Sequence, residues 1–137
     1  MVEINNLTNF VVDIKFFLGV AKKILKGENR GMENLSIAFV NPKDIRKINK
    51  EYRKKDKLTD VLSFEKSLNF KGDFSEIIIC PSIVKKQALK YKITFREELI
   101  KILIHGVLHV LGYEHEISKV QERRMNKRQE YYLSKIK

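Results

Sequence analysis

The chain has 137 residues, about the size of one domain, and 43% of them are hydrophobic while 33% are charged. This composition supports a buried core and excludes a disordered tail. With one cysteine, Cys80, the chain cannot form an intrachain disulfide, and its apolar runs are far shorter than the roughly 20 residues of a membrane span. With no secretory signal visible, we expect a single domain over 1–137, located in the cytoplasm and not in a membrane.

The net charge of +11 is high for a chain of this length. Such an excess of Lys and Arg is typical of proteins that bind nucleic acid. Compositional bias of a Lys-rich genome explains the same charge without any function. The charge therefore favours a nucleic-acid partner but does not establish one.

The hydrophobic pattern predicts four strands and five helices, interspersed along the chain. The predicted strands are 2–5, 35–40, 61–64 and 76–80. The predicted helices are 13–26, 95–111 and about 118–134, with two shorter helices that open at Pro42 and Pro81. Asn41 is expected to cap the helix at Pro42, Thr94 and Glu97 form a capping box, and Gly27 and Gly112 are expected to end helices. Cys80, at a strand end, is expected to be buried.

All three histidines of the chain, His105, His109 and His115, fall within eleven residues. A step of four places His105 and His109 on one helix face, one turn apart. Gly112 permits a left-handed turn that would bring His115 back toward them. Three neutral imidazoles suit zinc and leave the fourth position open, as in catalytic zinc sites. Ordinary core histidines are the alternative interpretation, but they do not explain this spacing.

The histidine spacing is that of metzincin peptidases, His-Glu-x-x-His-x-x-Gly-x-x-His, with one change. In those peptidases the Glu takes a proton from zinc-bound water. This chain has Gly106 at that position, and glycine cannot accept a proton. Peptidase activity is therefore disfavoured. We expect that Gly106 instead permits close approach of a bulky substrate to the backbone.

Two segments are rich in positive charge. Residues 43–57 carry eight basic and three acidic side chains. Within this segment, Arg53 suits two-point contact with a phosphate, and Tyr52 can stack on a base or a sugar. Residues 116–137 carry seven basic and three acidic side chains, and we expect that helix to pack on the core first and to contact RNA second. A solvated basic surface without function is the alternative for each segment.

The chain resembles the YbeY family of bacterial endoribonucleases. The resemblance rests on the block His105-Gly106-x-Leu108-His109-x-Leu111-Gly112-Tyr113-Glu114-His115. It also rests on Asn49, Tyr52 and Arg53, the run Thr59-Asp60-Val61-Leu62-Ser63-Phe64, the strand Glu76-Ile77-Ile78-Ile79-Cys80-Pro81, and Gln87-Ala88. The family usually has Pro at the positions of Leu58 and Glu65 and Asp at that of Glu114, and none of these departures removes a histidine.

The resemblance implies a fold, a site and a function. The fold is α+β, a mixed four-stranded sheet packed with about five helices, one of them a zincin-like helix that carries the metal site. His105, His109 and His115 match the family's zinc ligands, one Zn²⁺ per chain, and Arg53 and His105 are the expected catalytic residues. The expected activity is zinc-dependent cleavage of single-stranded RNA in ribosomal RNA maturation, at the 3′ end of 16S RNA, and in ribosome quality control. The expected partners are RNA, the small ribosomal subunit and its assembly factors, and not DNA.

Several points of mechanism stay open at this level. Glu114 and Asp60 are both candidates for the general base. Glu114 could instead orient a histidine, and Asp60 could instead cap a turn. The attacking group is either water or the 2′-hydroxyl of the RNA. The alternative function is a non-catalytic ribosome-assembly factor that binds ribosomal RNA and uses zinc structurally.

Overall fold

The computed structural model describes residues 1–65, 73–113 and 118–136. Each predicted strand and helix is present, and the bounds agree within one residue wherever the sequence specified both ends. The strands are β1 (Val2–Asn6), β2 (Leu35–Phe39), β3 (Val61–Phe64) and β4 (Ser75–Ile79). The helices are α1 (Ile14–Gly27), α2 (Pro42–Arg53), α3 (Pro81–Tyr91), α4 (Phe95–Val110) and α5 (Lys119–Lys135).

The four strands form one mixed sheet in the order β1-β2-β4-β3. β1, β2 and β4 are parallel, and β3 pairs antiparallel with β4 along one edge. Among the described strands β3 has a neighbour on one side only, and side chains from the helices reach its other side. The predicted α+β class with a mixed four-stranded sheet is confirmed.

The two faces of the sheet pack against different helices, because successive side chains in a strand point to opposite faces. Ile37, Ile77 and Ile79 lie in the main core with buried residues of α1, α4 and α5. Ile78 and Leu62 point the other way and pack with Ile45 of α2. The sheet therefore lies between α2 and the other large helices, and β3 is an edge that both sides reach.

Helix α4 is the most buried of the described helices, with nine buried residues among its sixteen. Its predicted cap is present, since the side-chain oxygen of Thr94 accepts a hydrogen bond from the backbone N–H of Glu97 at 3.0 Å. Among the described residues, no helix combines the length and the apolar composition that crossing a membrane requires. Cys80 is fully buried, as predicted.

The predicted helix ends at Asn41 and Gly27 are confirmed in position, and the structure adds how each end is built. Asn41 occupies the N-cap position of α2, but its side chain makes no capping hydrogen bond. Gly27 is the last residue of α1, yet the left-handed residue after the helix is Asn29, with φ 60°. A Cβ at Gly27 would lie 2.9 Å from the Cε1 atom of Tyr132, so the glycine at this helix end makes room for α5.

Candidate functional site

His105 and His109 lie one turn apart on α4, and their imidazole rings are in contact. The ring centroids are 4.8 Å apart and the ring planes are at 73° to each other. Both side chains are half-buried, and both line the same groove. The four-residue step predicted from the sequence therefore does bring two imidazoles together at a surface that solvent reaches.

The groove runs between α4, the edge strand β3 and the loop that joins α2 to β3. Its volume is about 770 Å³. Three basic side chains and the two histidines line it: Arg53, Lys55, Lys57, His105 and His109. Further lining residues come from the α2–β3 loop and from β3. A groove lined by cations and imidazoles suits an extended anionic ligand.

Arg53 reaches this groove from α2, which packs on the opposite face of the sheet from α4. It is the last residue of α2, and its Nη2 atom donates to the main-chain oxygen of Ser63 at 2.6 Å. Its guanidinium carbon lies 5.3 Å from the centroid of the Phe64 ring. One donor is thus used to anchor the side chain on β3, and the exposed guanidinium retains further N–H donors.

Asn49 holds the basic loop in place, a role that the sequence did not reveal. It is 2% exposed, its main-chain oxygen accepts from the N–H of Lys55 at 3.2 Å, and its Nδ2 donates to the main-chain oxygen of Lys57 at 3.1 Å. Lys54 adopts the left-handed conformation, with φ 59°, where the chain leaves α2. Lys55 and Lys57 therefore line the groove on a loop that is bound to the helix beneath it.

Tyr52, predicted to stack on a base or a sugar, lies beside Arg53 and is half exposed, with 50% of its surface accessible. Its ring packs edge-on against that of Phe64, with centroids 6.0 Å apart. Tyr52 and Arg53 thus share one aromatic partner on β3.

Gly106 faces the sheet, and this overturns the expectation that a substrate approaches the backbone there. The residue is buried, and a Cβ built on it would lie 3.1 Å from Cγ2 of Ile77 and 3.6 Å from Oγ of Ser63. Glycine therefore permits the close packing of α4 on β3 and β4. Peptidase activity stays disfavoured for the reason that the residue type gives, since glycine cannot take a proton from a water molecule.

Asp60 is not among the described residues that line the groove with the histidines. With the Gln87 amide oriented to satisfy its neighbours, Nε2 of Gln87 donates to Asp60 at 3.3 Å and to Glu98 at 3.1 Å. Glu98 precedes His105 by seven residues on α4, about 10 Å along the axis. Burial and, after it, the charge of Asp60 raise the pKa of Glu98, while Lys101 opposes the shift. As a candidate base, Asp60 is therefore poorly placed.

The ligand atoms in the described part of the site are of a kind that zinc prefers. Two imidazoles, borderline-soft nitrogen ligands that zinc prefers, meet at one helix face beside a groove. Within residues 1–65, 73–113 and 118–136, no group of three His, Cys, Asp or Glu side chains forms a complete metal site. His115, the third predicted ligand, and Glu114 lie outside the described residues.

The turn after α4 is fixed by both backbone and side chain. Gly112 has φ +106°, its N–H donates to the oxygen of His109 at 3.0 Å, and that of Tyr113 donates to Leu108 at 3.1 Å. These two bonds form a Schellman motif, so the left-handed glycine predicted here is confirmed. The Tyr113 hydroxyl donates to Glu28 at 2.6 Å, which ties the turn to the end of α1.

Glu28 accepts three further hydrogen bonds from α5. Tyr132 donates its hydroxyl hydrogen at 2.5 Å, and Arg128 donates from Nε at 2.9 Å and from Nη2 at 2.5 Å. Burial alone would raise the pKa of Glu28, but the hydrogen bonds from Tyr113, Tyr132 and Arg128 outweigh it and hold the pKa below its usual 4.5. This cluster joins the ends of α1 and α4 to α5, and the local sequence pattern does not predict it.

Comparison with known proteins places the chain in a family. The family model described as Endoribonuclease YbeY matches residues 3–137. The chain belongs to the YbeY family. The resemblance predicted from the histidine block and the Arg53 segment is therefore confirmed.

YbeY proteins from distant bacteria align with most of the chain. A relative named Endoribonuclease YbeY from Bdellovibrio bacteriovorus is 43% identical over 100 residues, which are 73% of this chain and 65% of that protein. Relatives of the same name from Sulfurihydrogenibium and Staphylococcus carnosus are 38% and 37% identical, over 89% and 96% of this chain and 82% of each relative. A solution structure of a Thermotoga maritima protein matches with a TM-score of 0.70 at 28% identity, covering 99% of this chain and 89% of that one.

Proposed function

We propose that this protein is an endoribonuclease that hydrolyses phosphodiester bonds of single-stranded RNA during ribosomal RNA maturation, at the 3′ end of 16S RNA and in ribosome quality control. The observation that carries the proposal is the groove that Arg53 lines together with His105 and His109. Relatives of the chain bear the name Endoribonuclease YbeY, and the net charge of +11 fits a polyanionic substrate.

His105, His109 and His115 would hold one Zn²⁺. Bound there, zinc would supply Lewis acidity, either to lower the pKa of a water molecule or to polarise a phosphoryl oxygen. The two described imidazoles support this assignment by their contact and by their place at the groove. The third ligand and the zinc dependence follow from the histidine spacing and the family resemblance.

Arg53 would bind the scissile phosphate. Its guanidinium is held on β3 by Ser63, so its remaining donors are oriented before the substrate arrives. Such a preoriented cation stabilises the extra negative charge of the phosphorane-like transition state more than it stabilises the ground state. Lys55 and Lys57 would contact neighbouring phosphates and contribute to affinity with little effect on the chemical step.

The reaction breaks one P–O bond to a ribose oxygen and forms another to the attacking oxygen. Either water or the 2′-hydroxyl of the preceding ribose is the attacking group, and Glu114 remains a candidate base. RNA with a 2′-deoxy residue at the cleaved position distinguishes the routes. Loss of cleavage there indicates 2′-hydroxyl attack, and retained cleavage indicates water.

The decisive experiment compares the purified chain with His109→Ala on a labelled single-stranded RNA. A third preparation, Lys90→Ala, changes an exposed residue of α3 outside the groove and controls for handling. We expect cleavage by the unaltered chain and by Lys90→Ala, and none by His109→Ala. Equal cleavage by all three would identify a contaminating ribonuclease.

If no preparation cuts RNA while the unaltered chain binds RNA and about one zinc, the non-catalytic assembly factor becomes the better description. Association with the small ribosomal subunit and its assembly factors, and a cytoplasmic location, stay predictions. Sedimentation of the chain with 30S particles tests the first of them.

A further inference from the structure

Gln129 of α5 contacts one of the two site histidines. Its side-chain Nε2 lies 3.1 Å from the Nδ1 atom of His105, a hydrogen-bond distance. The two residues are 24 positions apart, and no spacing rule in the sequence connects them. Gln129 is half-buried, at the boundary between the solvent-exposed face of α5 and the face that packs on α4.

The part of α5 that carries Gln129 is firmly anchored. Met125 and Tyr132, one turn before and one turn after Gln129, are 0% and 1% exposed in the main core. Tyr132 and Arg128 also bind the Glu28 carboxylate. The amide of Gln129 is therefore presented to His105 from a fixed backbone, as a group that orients a catalytic or metal-binding side chain should be.

We propose that Gln129 is a positioning residue that orients the His105 imidazole for metal binding through Nε2. The inference rests on the proposed function, since it takes His105 to be a zinc ligand. An imidazole that gives Nε2 to a metal carries its hydrogen on Nδ1 and needs an acceptor there. An amide offers an oxygen as well as an NH₂ group, so Gln129 can accept from Nδ1–H by turning its amide plane over.

The chemistry of this partner predicts how substitutions behave. Leu at position 129 keeps the bulk but removes the acceptor, so the His105 ring loses its fixed orientation. Glu at that position keeps the acceptor and adds a negative charge, which makes the imidazole a better ligand. Gln129→Glu should therefore keep the orientation of the His105 ring that Gln129→Leu loses. A purely space-filling role for Gln129 would not produce this pattern.

The test measures zinc affinity by competition with a chelator, on the full chain and without RNA. Gln129→Leu should weaken zinc binding about tenfold, the lower end of what loss of such partners causes. Gln129→Glu should bind zinc at least as tightly as the unaltered chain. Asn126→Leu, the same kind of change at an exposed position of α5, should leave zinc affinity unchanged.

A second measurement needs no variant. In the zinc-loaded protein, ¹⁵N NMR of the imidazole rings should show His105 with hydrogen on Nδ1 and zinc on Nε2. Zinc on Nδ1 of His105 would overturn the inference even if Gln129→Leu failed to fold.

The outcomes separate this inference from the proposed function. Tight zinc binding by the unaltered chain together with equal affinity in Gln129→Leu would overturn the role of Gln129 and leave the zinc site standing. Equal weakening by Asn126→Leu would also overturn it, because the effect would then belong to α5 as a whole. Absence of zinc binding in the unaltered chain would overturn both, whereas RNA cleavage alone would not decide this inference.

Discussion

Arg53 and Ser63 join the two sides of the sheet at the groove. The guanidinium of Arg53, at the end of α2, donates to the main-chain oxygen of Ser63 at 2.6 Å. The Ser63 side chain points to the other face, where its Oγ lies 3.6 Å from the position of a Cβ on Gly106 of α4. One residue of the edge strand therefore contacts both the arginine and the helix that carries the histidines.

This arrangement predicts the effect of replacing Arg53. Arg53→Lys keeps the charge but loses the planar fork, and one ammonium cannot bind both Ser63 and a phosphate in the same geometry. We expect RNA cleavage to fall by at least about tenfold while RNA binding changes little, because loss of one such donor affects the transition state most. Single-turnover cleavage and equilibrium binding of the same RNA measure the two quantities.

Arg46→Lys is the matched control for Arg53→Lys. Arg46 also lies on α2, but it is exposed and pairs with Asp56 at 2.8 Å, outside the groove lining. Unchanged cleavage in Arg46→Lys and reduced cleavage in Arg53→Lys would support the assignment. Normal cleavage in Arg53→Lys would remove the fork from the mechanism.

Two glycines in helix interiors should respond oppositely to the same substitution. Gly19 of α1 is exposed, and a Cβ there would have no neighbour within 4 Å. Gly19→Ala should stabilise the fold by about 1 kcal/mol through helix propensity. Gly106→Ala gains the same propensity but places its Cβ 3.1 Å from Cγ2 of the fully buried Ile77. Overpacking of this kind costs about 1–3 kcal/mol. We therefore expect the stability of Gly106→Ala to lie between that of the unaltered chain and a value about 2 kcal/mol lower.

Urea denaturation of both glycine variants measures this difference. A stabilising effect of Gly106→Ala equal to that of Gly19→Ala would show that α4 can move away from Ile77. The close packing of helix on sheet would then not be the reason for the glycine.

The Glu28 cluster should make stability sensitive to acid. The pKa of Glu28 is lowered in the folded protein, so its stabilising effect is complete above its usual value of 4.5 and disappears as the pH falls through the lowered folded pKa. Hydrogen bonds to a charged group contribute about 2 kcal/mol, so Glu28→Gln should lower stability by about that much at pH 7. The difference from the unaltered chain should narrow below pH 4.5.

Thermal melts at a series of pH values test the Glu28 prediction. Tyr132→Phe removes one donor and retains the carboxylate, so it should lower stability and keep most of the acid sensitivity. A constant difference between Glu28→Gln and the unaltered chain from pH 7 down to pH 3 would contradict the assignment of the low pKa.

The sequence predicts what depends on local spacing. The strands and helices follow from hydrophobic periodicity, and the meeting of His105 with His109 follows from a step of four on a helix. The reason for Gly106 was predicted wrongly, because the residue that requires glycine there, Ile77, lies on a strand 29 positions away. Contacts that join distant segments, such as Gln129 with His105, have no local signature, since they depend on how the helices pack.

Glu98 gives the opposite pH effect to Glu28. Its pKa is raised by burial and by Asp60, so between 4.5 and the raised value the folded chain binds more protons than the unfolded chain. Stability therefore falls as the pH rises through that window. Glu98→Gln removes the charge and keeps an oxygen that can accept from Gln87. We expect the variant to be at least as stable as the unaltered chain at pH 8 and to lose this downward slope.

Urea denaturation at pH 5, 6.5 and 8 measures the Glu98 effect, with Glu51→Gln as the control because Glu51 is an exposed carboxylate on α2. A drop in stability at pH 8 confined to Glu98→Gln would mean that the charged carboxylate is needed to hold Gln87 and α3 against α4. Parallel behaviour of Glu98→Gln and Glu51→Gln across all three pH values would mean that burial does not raise the pKa of Glu98. A flatter profile for Glu98→Gln alone identifies the buried carboxylate at the base of α4 as a residue that destabilises the fold at high pH.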